Sequence, residues 1–131
     1  MLDHVSSYTT DFNASRNFYL SVLAPLGASL QVEFAVENDA EFPGQRVCGF
    51  GDTSRSAFWL IESLQSFTPR HIAFTAACRY QVDLFYQIAI DAGAASLGAP
   101  GFRPQYHDHY YAAFVQDPDG NNIEAVCHES V

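Results

Sequence analysis

The chain has 131 residues, 48% of them apolar and 15% aromatic, with a formal net charge of −9 and only six Lys and Arg residues. This fits a single globular domain and excludes nucleic acid, a polyanion, as a natural partner. No apolar run reaches the roughly 18 residues of a membrane-spanning helix, so no membrane association is expected.

The N-terminal stretch MLDHVSSYTTD carries neither a basic region nor a long apolar segment, so it does not read as a secretory signal. HVSSYT is β-branched and aromatic, and reads as a strand. From Asn13 to Leu26, the residues Phe18, Tyr19, Val22, Leu23 and Leu26 recur at helical spacing. Asp11 or Asn13 is placed to cap this helix and Gly27 to end it. ASLQVEFAV, RVCGFG and SAFWLIES then read as three strands.

HIAFTA starts the series again. Tyr80 to Ala92 repeats the helical pattern through Val82, Phe85, Tyr86 and Ala89, and Gly93 closes it. A weaker strand ASLGA follows, then a long loop from Gly98 to His109. YYAAFVQ and NNIEAV are the last strands, joined as a hairpin by the tight-turn sequence DPDG. Three cysteines (Cys48, Cys78, Cys127) in odd number and without CxxC spacing suit reduced thiols and a cytoplasmic location.

The two series are copies of one unit. At an offset of 67 residues, His4 falls on His71, Phe18 and Tyr19 on Phe85 and Tyr86, and Ala28-Ser29-Leu30 on Ala95-Ser96-Leu97. Relaxing the offset to 62 places Ile61 and Glu62 on Ile123 and Glu124. The chain is therefore expected to be one α+β domain, residues 1–131, of two βαβββ modules (about 1–66 and 67–131). Together they form a curved, barrel-like mixed sheet around a cavity.

Glu124 stands inside a short apolar strand, where an unpaired carboxylate is costly. Strand alternation places His4, Ser6 and Tyr8 on one face, His71, Ala73 and Thr75 on another, and Asn122, Glu124 and Val126 on a third. If a pseudo-twofold axis relates the units, His4, His71, Glu62 and Glu124 surround one point. Two imidazoles with one or two carboxylates suit a divalent ion: Zn, Ni, Co, Mn or Fe.

The N-terminal strand His, SRNFY in the first helix, HIAF and above all DPDGNNIEAV resemble the vicinal oxygen chelate superfamily over about residues 2–127. That group includes glyoxalase I, extradiol dioxygenases and bleomycin-binding proteins. The resemblance implies a metal site at His4, His71 and Glu124, with Glu62 as fourth ligand; aligning from the preceding aromatic run puts Leu60 there instead. It further implies a glyoxalase-I-like lyase or isomerase acting on a small α-keto or thiol-adduct substrate, with Glu124 as base and Glu62 opposite. A metal-free drug-binding protein and a ferrous ring-cleaving dioxygenase are the alternatives. Arg103 is a candidate partner for an anionic group. Tyr106 and His107 are candidates for hydrogen bonding or proton transfer. Trp59 and Phe58 are candidates for an apolar wall. A homodimer is expected, with the site formed in one subunit or by exchanged modules.

Overall fold

A computed structural model describes residues 1–131. The elements run β1 (Val5–Thr9), α1 (Phe12–Val22), β2 (Ser29–Val36), β3 (Gln45–Gly51), β4 (Ser56–Glu62), β5 (His71–Thr75), α2 (Arg79–Asp91), β6 (Ser96–Phe102), β7 (Tyr111–Gln116) and β8 (Asn122–Cys127). They form two four-stranded sheets, ordered β1-β4-β3-β2 and β5-β8-β7-β6. In each, the first strand pairs in parallel with the last, and the other pairings are antiparallel. The molecule is thus α+β, built as two βαβββ units.

Helix α1 starts where Asp11 accepts a hydrogen bond from the Ala14 N–H. It stops earlier than the periodicity predicts. Pro25 cannot donate into a continuing α-helix, so Ala24–Leu26 form a separate 3-10 turn closed by Gly27 at φ 86°. β6 departs from expectation in the other direction, extending through Pro100 to Phe102. It is an edge strand with register shifts at Gly98 and Gly101, where a missing N–H is tolerated. The connection to β7 is correspondingly shorter than the loop read from the sequence.

Phe12, Phe18, Tyr19 and Val22 of α1 and Val82, Phe85 and Ala89 of α2 are buried against each other and against one face of each sheet. Phe50, Phe58 and Leu60 supply that face in the first sheet, and Ala113, Val115, Ile123 and Ala125 in the second. Each fully buried aromatic or aliphatic side chain stabilises the fold by about 1.5–3 kcal/mol. The opposite faces carry no helix.

The DPDG turn ties the two units together. The Asp117 carboxylate accepts from the Tyr19 hydroxyl of α1, from the Asp119 and Asn121 N–H groups (2.9 and 2.8 Å) and from Asn121 Nδ2 (2.8 Å). Asp119 accepts from the Thr10 N–H and the Ser15 hydroxyl, and Asn121 Oδ1 from the Arg70 N–H. Burial, and then the neighbouring Asp117 charge, hold the Tyr19 phenol well above its usual value, so it stays a donor.

Candidate functional site

Alternation along β8 sends Ile123 and Ala125 into the core and Asn122, Glu124 and Val126 to the face without helices. β5 lies beside it with Ala73 opposite Glu124 and His71 opposite Asn122, and β7 places Phe114 opposite Glu124. Glu124 is only 2% exposed. Its two oxygens are both engaged: Oε1 lies 3.0 Å from His71 Nε2, and Oε2 accepts from the Tyr110 hydroxyl at 2.5 Å. His71 is half exposed and stacks on Phe114, with ring centroids 6.1 Å apart.

The other ring nitrogen of His71 decides its chemistry. Nδ1 is 3.1 Å from the Asn122 carbonyl oxygen, which can only accept, so Nδ1 carries a proton. A neutral ring then points an Nε2 lone pair at a carboxylate oxygen. That contact is favourable only if a proton or a cation stands between the two. Tyr110 fixes the far oxygen. Burial, and next the hydrogen bond to Glu124, push its phenol well above the ordinary value, so it stays protonated.

Tyr110 packs in a ring cluster with Tyr106, His107 and His128, at centroid distances of 4.7, 5.5 and 5.2 Å. His107 Nδ1 accepts from the His109 N–H, so its Nε2 donates to His128 Nδ1 at 2.8 Å. Sequence reasoning left Tyr110 and His128 without a role. Continuing the alternation from Glu124 through Val126 reaches His128, and stepping back from Phe114 through Ala112 reaches Tyr110. Arg103 sits over the Phe114 ring, 5.2 Å from its centroid, and donates to the Ala99 carbonyl. Arg103, Tyr106 and His107 thus border the Glu124 side of the molecule.

The first unit presents a different face. Trp59 stands opposite Ser6 and Gly49, just as Glu124 stands opposite Ala73 and Phe114. The structural counterpart of Glu124 is therefore Trp59, and neither Glu62 nor Leu60. Leu60 is in the core. Glu62 shares its face and is turned toward the helix side, where it accepts from the Arg46 N–H (3.0 Å) and Nη2 (2.9 Å). Arg46 in turn lies over the Phe12 ring of α1. The Arg46 hydrogen bond, more than any other cause, holds the Glu62 carboxyl below its usual range. Phe58 likewise belongs to the core, which leaves Trp59 alone of that pair on the open face.

His4 lies outside the Glu124 cluster. Its Nδ1 donates to Asp3 at 2.6 Å, and Asp3 also accepts from Arg55 at 2.5 Å. It borders an apolar cleft of about 430 Å³ shared with Phe50, Phe58 and residues 72–75 of β5. The convergence of His4, His71, Glu62 and Glu124 on one point is not what the chain shows. No three His, Cys, Asp or Glu side chains come together to hold a metal. The two units stand side by side: His71 lies against Glu124 in the second, while His4 lies beside the apolar cleft and its neighbour Asp3. The three cysteines are unpaired, and burial pushes the Cys48 thiol up to about 11.

A family model described as the Glyoxalase/Bleomycin resistance protein/Dioxygenase superfamily matches residues 1–125. No curated protein matches the sequence. A solved glyoxalase/bleomycin resistance protein from Albidiferax ferrireducens T118 is similar at 26% identity and TM-score 0.71, with 96% of this chain and 97% of that chain covered. A lactoylglutathione lyase from Agrobacterium tumefaciens shares the fold at 18% identity and TM-score 0.66, over 97% and 92%. A glyoxalase I mutant from Zea mays does so at 17% identity and TM-score 0.71, over 95% of this chain and 43% of that longer one.

Proposed function

We propose that this chain, which belongs to the Glyoxalase/Bleomycin resistance protein/Dioxygenase superfamily, is a metal-dependent lyase or isomerase of the glyoxalase type acting on a small α-keto or thiol-adduct substrate. The observation that carries this reading is Glu124. It is a carboxylate 2% exposed on the helix-free face, held by an imidazole and a phenol and by no Lys or Arg.

His71 and Glu124 are donor types that a divalent ion takes, and their spacing supports the reading that both ligate one ion. Two ligands about 2.1 Å from a metal and at right angles lie about 3.0 Å apart, which is the His71 Nε2 to Glu124 Oε1 separation. In both His71 and His4 the Nδ1–H is committed to an acceptor, the Asn122 carbonyl in one and Asp3 in the other, leaving Nε2 as the ligating atom. One chain thus supplies His71 and Glu124, and His4 of a second copy is the third donor. The working form is a homodimer with the site between subunits. A divalent ion held by these residues would supply Lewis acidity.

The protein side chains do the rest. Glu124, beside the half-exposed His71, is the group that takes and returns the substrate proton. Tyr110 orients the carboxylate through Oε2 and remains a donor because its phenol is held protonated. Arg103, carried on Phe114, offers a cation to an anionic substituent, and Tyr106 and His107 line the approach.

The test is to strip the protein of metal and reload it separately with Zn, Ni, Co, Mn or Fe(II). Conversion of the hemithioacetal of methylglyoxal and a thiol is then followed. Turnover with at least one metal, abolished in Glu124→Gln, is the expected result. No turnover with any thiol adduct under any loading rejects this substrate class. One observation favours a second reading, a metal-free binder of a cationic drug: Trp59, in place of a second carboxylate, removes a potential ligand. Metal-independent binding of such a compound decides for it.

A further inference from the structure

The loop between β6 and β7 is held down at two points. Tyr110, at its end, donates to Glu124 Oε2. His107, earlier in the loop, donates from Nε2 to Nδ1 of His128, the residue after β8. The two imidazoles stack at an interplanar angle of 26° with centroids 5.1 Å apart, and the Tyr110 ring stands edge-on to both. At the base of the loop the Arg103 N–H donates to the Tyr110 carbonyl at 2.8 Å.

Neither imidazole has a vacant place for a further proton. A neutral ring has one N–H and one lone pair. In His107 the Nδ1 lone pair takes the His109 N–H at 3.1 Å, and Nε2 carries the hydrogen given to His128. In His128 the Nδ1 lone pair takes that hydrogen, so its own N–H is on Nε2. One more proton on either ring sets an N–H against an N–H. The added charge is also uncompensated, because neither ring forms an ion pair. Tyr106 and Tyr110, which pack here, are uncharged at neutral pH. Asp108 and Glu129 follow the two histidines in the chain, and neither carboxylate reaches a ring. Arg103 is turned to Phe114 and the Ala99 carbonyl, His109 contributes its backbone N–H, and Glu124 lies at the far end of Tyr110.

We propose that His107 and His128 form a proton-operated clasp on this loop. Neutral, the pair holds residues 103–110 shut and keeps Tyr110 on Glu124. Protonated, it releases the loop, withdraws that donor and uncovers the carboxylate. Every group involved belongs to one chain, and neither a metal nor a second copy is needed. The direction follows from where the proton can go. Opening frees the lone pairs, and a solvated imidazole takes its proton at about pH 6.5. What the clasp contributes is therefore complete above that value and lost as pH falls below it. Between pH 7.5 and 5.5, each imidazole freed on opening shifts the balance toward the open loop by about tenfold.

Two amides report the loop: His109, held by His107, and Arg103, held at the base. Their hydrogen exchange, corrected for intrinsic rates, is measured at pH 7.5 and 5.5, with the amides of α2 as the control for global unfolding. The comparison protein is the double variant His107→Gln, His128→Asn. Gln keeps a donor in the place of Nε2, Asn keeps an acceptor in the place of Nδ1, and neither titrates. Wild type is expected to lose at least about tenfold protection at both loop amides at pH 5.5, with α2 unchanged and the double variant still protected. Equal protection of wild type at the two pH values overturns the clasp. So does an equal loss in the double variant, which would place the response at His71, Glu124 or the His109 ring. Nitrogen-15 spectra of the wild-type imidazoles give a check that needs no variant. Both rings should carry their hydrogen on Nε2 at pH 7.5, and an Nδ1–H on either refutes the proposal.

Discussion

Replacing Tyr110 with phenylalanine removes one oxygen and leaves the ring. Packing against Tyr106, His107 and His128 is retained, so no cavity contributes. What is lost is the donor to Glu124 Oε2, an oxygen of a residue that is 2% exposed. A hydrogen bond to a charged group contributes about 1.5–3 kcal/mol, and a buried acceptor left without a donor costs a similar amount. Tyr110→Phe should therefore lower the unfolding free energy by about 2 kcal/mol at pH 7. That is roughly a thirtyfold change in the unfolding constant, at about 1.4 kcal/mol per tenfold. Urea unfolding followed by far-UV circular dichroism reads it, with the slope unchanged. Tyr106→Phe is the control. That side chain is 62% exposed, and its change should stay within about 0.5 kcal/mol. A loss below about 0.5 kcal/mol for Tyr110→Phe would mean that Glu124 is not a buried carboxylate that depends on this donor. The account of the site would then fail at its base.

Asp117→Ala leaves the buried Tyr19 hydroxyl and the Asn121 amide without their acceptor and should cost about 3–5 kcal/mol in urea unfolding. Glu62→Gln should change stability by less than about 1 kcal/mol, because its Arg46 partner is 41% exposed and screened, and it should leave metal affinity untouched. The Glu62 carboxyl is held below its usual range. What the pair contributes is thus present above the unfolded value of 4.5 and lost as pH falls through the lower folded value; an acid titration of stability should show this in wild type and not in Glu62→Gln. The phenols of Tyr19, Tyr110 and Tyr111 are all raised, that of Tyr111 to about 12 through its bond to Asp83. Their contribution is complete below about pH 10, where an unfolded phenol ionises, and disappears as pH rises through the folded values. Unfolding free energy should be level from neutral pH to about pH 9 and then fall, less steeply in Tyr110→Phe.

Much of the fold is legible in the chain. The second copy of His, aromatic pair and Ala-Ser-Leu marks the repeat, Gly27 and Gly93 mark the helix ends, and DPDG marks the last hairpin. The ends of the units are not legible in the same way. The Ile-Glu match at offset 62 was three residues out of register, because the strand pairings set the offset at 65. Three is odd, and an odd slip exchanges the faces of a strand. Glu62 thereby moved from the open face, where the repeat had placed it, to the helix side and Arg46. Composition offers no warning of this, since an apolar strand ending in glutamate satisfies either register. The joint between Tyr19 and Asp117 joins residues 98 apart, and no local pattern announces it. Glu124 itself was legible as a buried carboxylate needing a partner. Tyr110 lies one step before β7, on the alternation that runs back from Phe114 through Ala112, and the repeat drew no attention to it because the first unit has no matching tyrosine.

The most direct test is the stoichiometry of Co²⁺ binding by isothermal calorimetry on metal-stripped wild type, His4→Ala, His71→Ala, Glu124→Gln and Glu62→Gln. The account predicts one ion per chain in wild type and Glu62→Gln, and at least tenfold weaker binding in each of the other three. Binding unaffected by Glu124→Gln, or lost as fully in Glu62→Gln, would contradict it.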